Sequence, residues 1–125
     1  MRPDCDVDYP DSKVVYYRKT AENLGAAQAE EFLNFAGTEI DASYMEWEMR
    51  TAVEVAEKFD VPIYCGEYGV IDRVPDERLL HWYADVSAVF QKFGIGRAAW
   101  TYRQKDFGIT DPCRSRIMDQ IIKYL

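Results

Sequence analysis

The ten residues Val61-Pro62-Ile63-Tyr64-Cys65-Gly66-Glu67-Tyr68-Gly69-Val70 constrain this chain more than any other stretch. Pro62 can open a strand without losing a ladder hydrogen bond, and Ile63, Tyr64 and Cys65 suit a buried strand. Gly66 and Gly69 let backbone crowd close on either side of Glu67. A single carboxylate placed where an apolar strand runs out is a candidate for chemistry. The plainer alternative is an acidic residue that begins a loop.

The rest of the chain sets this strand in an α/β pattern. Residues 1–11, with Pro3 and Pro10 among several aspartates, read as an irregular lead-in that ends in a helix-capping Asp11-Ser12. A helix then carries Val15, Tyr16 and Leu24 inward and stops at Gly25. A shorter helix over Ala26 to Phe35 brings Phe32 and Phe35 together. Asp41 or Ser43 caps a third helix, Ser43-x-x-Glu46 fits a capping box, and Met45, Met49, Ala52, Ala56 and Phe59 recur at helical spacing. Asp60-Val61-Pro62 breaks it and starts the strand. Pro75-Asp76-Glu77 opens a fourth helix whose inner face is Leu79, Tyr83, Val86, Phe90 and Phe93, closed by Gly94. Ile95 to Tyr102 reads as a second buried strand ending near Trp100. Asp111-Pro112 then opens a last helix that buries Ile117, Ile121 and Leu125 or their neighbours.

From residue 44 the order is helix, strand, helix, strand, helix, with connections long enough for parallel pairing and right-handed crossovers. Ligand sites in such units lie at the carboxyl ends of the strands, where Glu67 and Trp100 both fall.

Composition narrows the partners. In 125 residues, 48% hydrophobic side chains suffice for a packed core. A net charge of −7 with fifteen scattered basic residues argues against nucleic acid or an anionic membrane surface as partner. No apolar run reaches the ~20 residues needed to cross a bilayer, and Met1 to Asp8 has no apolar leader core. Cys5, Cys65 and Cys113 show neither a disulfide framework nor zinc spacing, so no metal and no cofactor is expected. His81, the one histidine, reads as a surface or interhelix residue. The helix glutamates Glu30, Glu31, Glu46, Glu48, Glu54 and Glu57 scatter over solvated faces.

With Gly66-Glu67-Tyr68-Gly69 ending one strand, and Ala98-Ala99-Trp100-Thr101-Tyr102 with Phe107-Gly108-Ile109 following the next, residues 9–125 resemble the carboxyl-terminal part of a family 5 glycoside hydrolase, the cellulase-like enzymes. The resemblance implies a fragment of a TIM (β/α)8 barrel, about its last two βα units with preceding helices. It implies Glu67 as the nucleophile and Trp100 as the floor of the sugar subsite at the point of cleavage. Asp106 and Lys105 in the following loop are candidates for hydrogen bonds to sugar hydroxyls, with solvated loop charge the preferred reading of both, and Tyr68 at the mouth is a further candidate for contact with substrate.

A whole barrel has eight βα units and typically ~250 residues. The family's Asn-Glu-Pro acid/base motif occurs nowhere in this sequence. Retaining hydrolysis needs two carboxyl groups ~5 to 5.5 Å apart, one to attack the anomeric carbon and one to protonate the leaving oxygen. Residues 1–125 are therefore expected to be the incomplete end of a catalytic domain, inactive alone, within a retaining β-glycosidase acting on a β-glycan. Enzymes of this kind are commonly secreted, but this chain carries no signal for it and leaves its compartment open. Ile63, Cys65, Ala98 and Trp100 are expected to face the barrel interior, and the open strand edges to promote self-association. The alternative function is a non-catalytic α/β module that binds carbohydrate or protein through Trp100, Tyr68 and Phe107.

Overall fold

The computed structural model describes residues 8–34 and 37–125. In chain order it has a two-residue strand β1 (Asp11–Ser12), helices α1 (Lys13–Leu24) and α2 (Ala26–Leu33), and a second short strand β2 (Glu39–Ile40). Then come α3 (Ala42–Phe59), β3 (Tyr64–Tyr68), α4 (Asp76–Phe93) and β4 (Gly96–Ala99). The chain closes with a 3-10 turn (Pro112–Arg114), a one-turn helix α5 (Met118–Ile121) and a second 3-10 turn (Ile122–Tyr124).

Local chemistry accounts for the boundaries. The Ser12 hydroxyl accepts from the Val15 N–H and starts α1, and Gly25, at φ 101°, ends it. Asp41 starts α3, its carboxylate accepting from the Ser43 and Tyr44 N–H groups. Asp41, rather than Ser43, is therefore the cap. Pro75 precedes α4, and Asp76 and Glu77 sit in its first turn, where the helix dipole favours negative charge.

The two strands that matter pair in parallel, β3 beside β4, with α4 as the crossover. Buried Leu79, Tyr83, Val86 and Phe90 line one face of α4, as the spacing predicts. They meet Tyr68, Ile95, Ile109, Ile117, Ile121 and Val53 in one apolar cluster. At roughly 2 kcal/mol for each large side chain taken from water, that stripe is the main force holding the helix to the sheet.

Several expectations change in the folded chain. Leu24 is exposed on α1, and the residue α1 buries is Lys13. Met45, Met49, Val53 and Ala56 form the inner stripe of α3, the first two half-buried, while Ala52 is exposed and Phe59 stands 64% exposed. Phe35 lies outside the described residues. The last helix is not continuous: Ile117 and Ile121 are buried as expected, but successive short turns replace it and Leu125 is exposed. The lead-in is not wholly irregular, since Asp11 and Ser12 pair antiparallel with Ile40 and Glu39. Residues 1–7 of it lie outside the described residues.

The Asp41 cap makes a pH-dependent contribution. Its carboxyl is held below the usual aspartate range chiefly by the Ser43 hydroxyl, opposed by desolvation and helped by the Tyr44 and Ser43 N–H groups. A lowered folded-state pKa gives stability that is present above the ordinary aspartate range and lost as pH falls through the lowered value. Asp41→Ala is expected to cost about 1 kcal/mol near neutrality. The deficit should shrink in acid, as read by denaturant melts at pH 7 and below about pH 3.

Among the described residues the β3–β4 sheet has two strands, so both outer edges are unpaired. The chain is expected to associate through them. Sedimentation velocity at two concentrations checks this; a monomer with a sharp, reversible, concentration-independent thermal transition is the contrary result.

Candidate functional site

The site is built where β3 and β4 end. Pairing runs Tyr64 with Gly96 and Cys65 with Arg97, then resumes at Tyr68 with Ala99. Three steps along β3 therefore match two along β4, and the extra residue falls at Gly66-Glu67. This bulge decides which side chain faces where. Ile63 and Cys65 pack against the α4 cluster, and strict alternation would send Glu67 there too. The extra residue reverses the phase: Tyr68 turns into the core at 8% exposure, and Glu67 is left exposed.

The same alternation on β4 turns Arg97 and Ala99 toward α4. The Arg97 guanidinium bonds Ser87 Oγ at 3.0 Å, and Ala99 touches the core. Trp100 follows the end of β4 at 41% exposure. Of the four residues expected to face a barrel interior, Ala98 and Trp100 lie away from the α4 core. Ile63 and Cys65 do not, because they share the face of the strand that α4 covers.

The two strand ends are in close contact. The Trp100 N–H donates to the Tyr68 carbonyl at 2.7 Å. A Cβ on Gly69 would overlap the Trp100 carbonyl oxygen, so only glycine admits this approach. After Trp100 the chain folds back on itself: Ile109 N–H donates to the Thr101 carbonyl at 3.0 Å and Thr110 N–H to that of Tyr102 at 3.0 Å. At the tip Gln104, Lys105 and Asp106 occupy the left-handed region in succession, at φ 66°, 61° and 61°. Each costs about 1 kcal/mol or more for a residue with a side chain. The turn is held by the Asp111 carboxylate, which accepts from the Gln104 N–H at 3.1 Å, and by the Asp106 carbonyl, which accepts from the Asp72 N–H at 2.7 Å.

Tyr68 is thus not at the mouth. It stacks beside Trp82 and meets Tyr83 and Phe90 edge-on, and its hydroxyl has no hydrogen-bond partner among the described residues. Burial pushes that hydroxyl above the usual tyrosine range, against the opposing pull of the nearby Arg97 guanidinium. Burial likewise pushes Tyr83 up to about 12. Asp106 and Lys105 are exposed at the loop tip. His81 is exposed on α4, and Glu46 pairs with Lys92 at 2.6 Å. Among the described residues no group of three His, Cys, Asp or Glu side chains could hold a metal ion, and no helix is long and apolar enough to cross a membrane.

No family model matches the sequence. Cellodextrinase A of Ruminococcus flavefaciens is 43% identical over 67 residues, which are 54% of this chain and 20% of that protein. Endoglucanase C of Acetivibrio thermocellus is 31% identical over 78 residues, 62% of this chain and 23% of that protein. The chain is a relative of cellulases and endoglucanases. Its fold agrees: the solved endoglucanase Cel5A of Thermotoga maritima superposes with a TM-score of 0.59 at 22% identity, over 88% of this chain and 36% of that one. A hyperthermophilic endo-β-1,4-glucanase solved with substrate gives 0.53 at 27% identity, over 57% and 23%. These neighbours are TIM-barrel endoglucanases of glycoside hydrolase family 5, and the matched part spans about a fifth of the curated relatives' length.

Beside the segment that follows β3 lies a mainly apolar cleft of about 590 Å3, walled by Tyr9, Tyr44, Met45, Trp82, Gly69 and Phe107. Its Tyr9 hydroxyl donates to Asp85 at 2.8 Å. Sequence reasoning missed Tyr9, Trp82 and two arginines. Arg97 was detectable as a cation at an inward position of an apolar strand. Arg114 carried no local signal, because its partners are more than thirty-five residues upstream.

The Gly69 contact yields a direct test. Gly69→Ala is expected to lose about 1 to 3 kcal/mol in denaturant melts, because backbone rather than a flexible side chain must move. Gly94→Ala, where among the described residues no atom stands within contact of a Cβ, should lose only the φ-related part.

Proposed function

We propose that this chain is the carboxyl-terminal part of a retaining β-glycoside hydrolase of the endoglucanase type, acting on β-linked polysaccharides or oligosaccharides. The observation that carries the reading is the bulge at Gly66-Glu67, which leaves Glu67 exposed near the end of β3, one residue before Tyr68, whose carbonyl accepts from the N–H of the exposed Trp100 that follows β4. The kinship with cellodextrinase and endoglucanases supports it. Solved relatives bound to cellobiose and mannotriose support a β-glycan as substrate.

In this reading Glu67 attacks the anomeric carbon and forms a glycosyl-enzyme ester as the bond to the leaving oxygen breaks. A second carboxyl group, from a part of the parent protein outside these 125 residues, protonates that oxygen and then activates water to cleave the ester. The indole of Trp100 carries the sugar ring on its C–H face, holding it in line for attack. Asp106, at the exposed tip of the following loop, would accept hydrogen bonds from sugar hydroxyls in this reading. Tyr68, being in the core, supports the strand end rather than touching sugar.

Without the second carboxyl group the 125 residues should hydrolyse no β-glycan above background. In the full-length parent, Glu67→Gln is expected to reduce kcat by several orders of magnitude with little change in substrate affinity, since the nucleophile acts mainly in the bond-making step. Trp100→Ala should weaken both. The experiment is a panel of β-glucans and mannans assayed with wild type and the glutamine variant. Undiminished turnover in that variant would remove Glu67 as nucleophile; binding without turnover by the parent would favour a carbohydrate-binding module instead.

A further inference from the structure

The loops after β3 and β4 come from distant parts of the chain and have no regular structure, yet a closed circuit of bonds fixes them to each other. Its hub is the short turn over residues 111–114. From its last residue, Arg114, the guanidinium donates to the Asp72 carbonyl at 2.7 Å and the Ile71 carbonyl at 3.2 Å, and pairs with Asp76 Oδ1 at 2.6 Å. From its first residue, the Asp111 carboxylate takes the Gln104 N–H of the other loop. Arg114 N–H donates to the Asp111 carbonyl at 2.8 Å, joining the two ends of the turn. The Asp72 N–H, donating to the Asp106 carbonyl, closes the circuit.

Two features separate this arrangement from ordinary surface pairing. Arg114 is 3% exposed, so its planar fork has exchanged water for these carbonyls, and removing it takes the donor from the Asp72 carbonyl while the Ile71 carbonyl keeps the Val74 N–H. Its circuit also holds the three left-handed residues Gln104 to Asp106, a conformation that persists only where the surroundings over-determine it. Arg116 supplies an internal contrast. It reaches the other oxygen of the same Asp76 carboxylate at 3.0 Å, but it is exposed and bonds neither loop.

We propose that the Asp111–Arg114 turn is a clasp and Arg114 a positioning residue, holding the Trp100–Asp106 loop in register with the strand end that bears Glu67. The proposal rests on the hydrolase reading for its catalytic consequence, but the clasp itself does not. Arg114 acts through the two loops and touches no substrate. Gly108 belongs to the same device, because a Cβ there would overlap the Asp111 carboxylate.

The test has two readouts on Arg114→Met, Arg114→Lys and Arg116→Ala. In the 125-residue chain, amide hydrogen exchange at Asp72 and Gln104 should quicken by about tenfold or more in Arg114→Met and less in Arg114→Lys, and stay at the wild-type rate in Arg116→Ala. In the full-length parent, Arg114→Met should lower kcat on a soluble β-glucan by roughly 100-fold, as a displacement of about 1 Å at the reacting groups does. Arg114→Lys should recover part of that loss, and Arg116→Ala should match wild type in both kcat and KM. If the methionine variant fails to fold, the lysine variant decides by the same two measurements. Unchanged exchange at Asp72 and Gln104 overturns the clasp. Faster exchange with wild-type kcat and KM overturns the positioning role. Binding without turnover by the wild-type parent overturns the hydrolase reading alone, full activity in Glu67→Gln removes only Glu67 as nucleophile, and in either case the exchange rates still decide the clasp.

Discussion

The parallel pairing of β3 with β4, carried through a one-residue bulge, is the constraint on which the rest of the site depends. A parallel pair needs a long crossover, and α4 fills that role because its apolar stripe recurs at helical spacing from Leu79 to Phe90. The stripe must be buried against something, and what it meets is the inward face of the two strands, including Tyr68. Once the bulge has turned Tyr68 into that core, Glu67 has no place there and faces the other way. Packing on one side of the sheet thereby sets the position of a carboxylate on the other.

The exposed side of the sheet has a different character. Tyr64 is largely exposed and Trp100 substantially so, and Val61 and Phe59 stand exposed near the start of β3. Stability in this chain is accordingly uneven. The α4 layer is cohesive, while the strand edges and the loops above them rely on individual polar contacts. Where apolar burial cannot fix a loop, directional bonds do so, and the left-handed turn at Gln104 to Asp106 is held by groups that lie far from it in sequence.

The endoglucanase kinship and the site geometry address different questions. Similarity to cellodextrinase and endoglucanases over part of their length speaks to the class of chemistry proposed, and the superposition on part of a TIM-barrel endoglucanase to the scaffold. Neither says how these particular loops are braced. Asp111 and Arg114 answer that from this chain's own residues, by linking a carboxylate and a guanidinium three positions apart to two loops at once.

The sequence by itself determined the helices and their ends, because capping at Ser12 and Asp41, the breaks at Gly25, Pro62 and Gly94, and the stripe on α4 are local chemistry. It also determined that Glu67 and Trp100 would close consecutive strands, since strand length and glycine placement are local too. Tertiary structure decided the rest. Ile63 and Cys65 were expected on the face of Glu67 and Tyr68 at the mouth, and the bulge places all three with the α4 core instead; a bulge depends on how the neighbouring strand's residues align, and no single strand carries that information. The last helix is replaced by short turns whose backbone bonds span three residues, Arg114 N–H to the Asp111 carbonyl and Ile117 N–H to that of Arg114, while the Asp111 and Arg114 side chains bond distant loops. Buried Lys13 and Arg114 were invisible for the same reason: a cation goes inside only when partners far off in sequence meet it there, and those partners exist only in the folded chain.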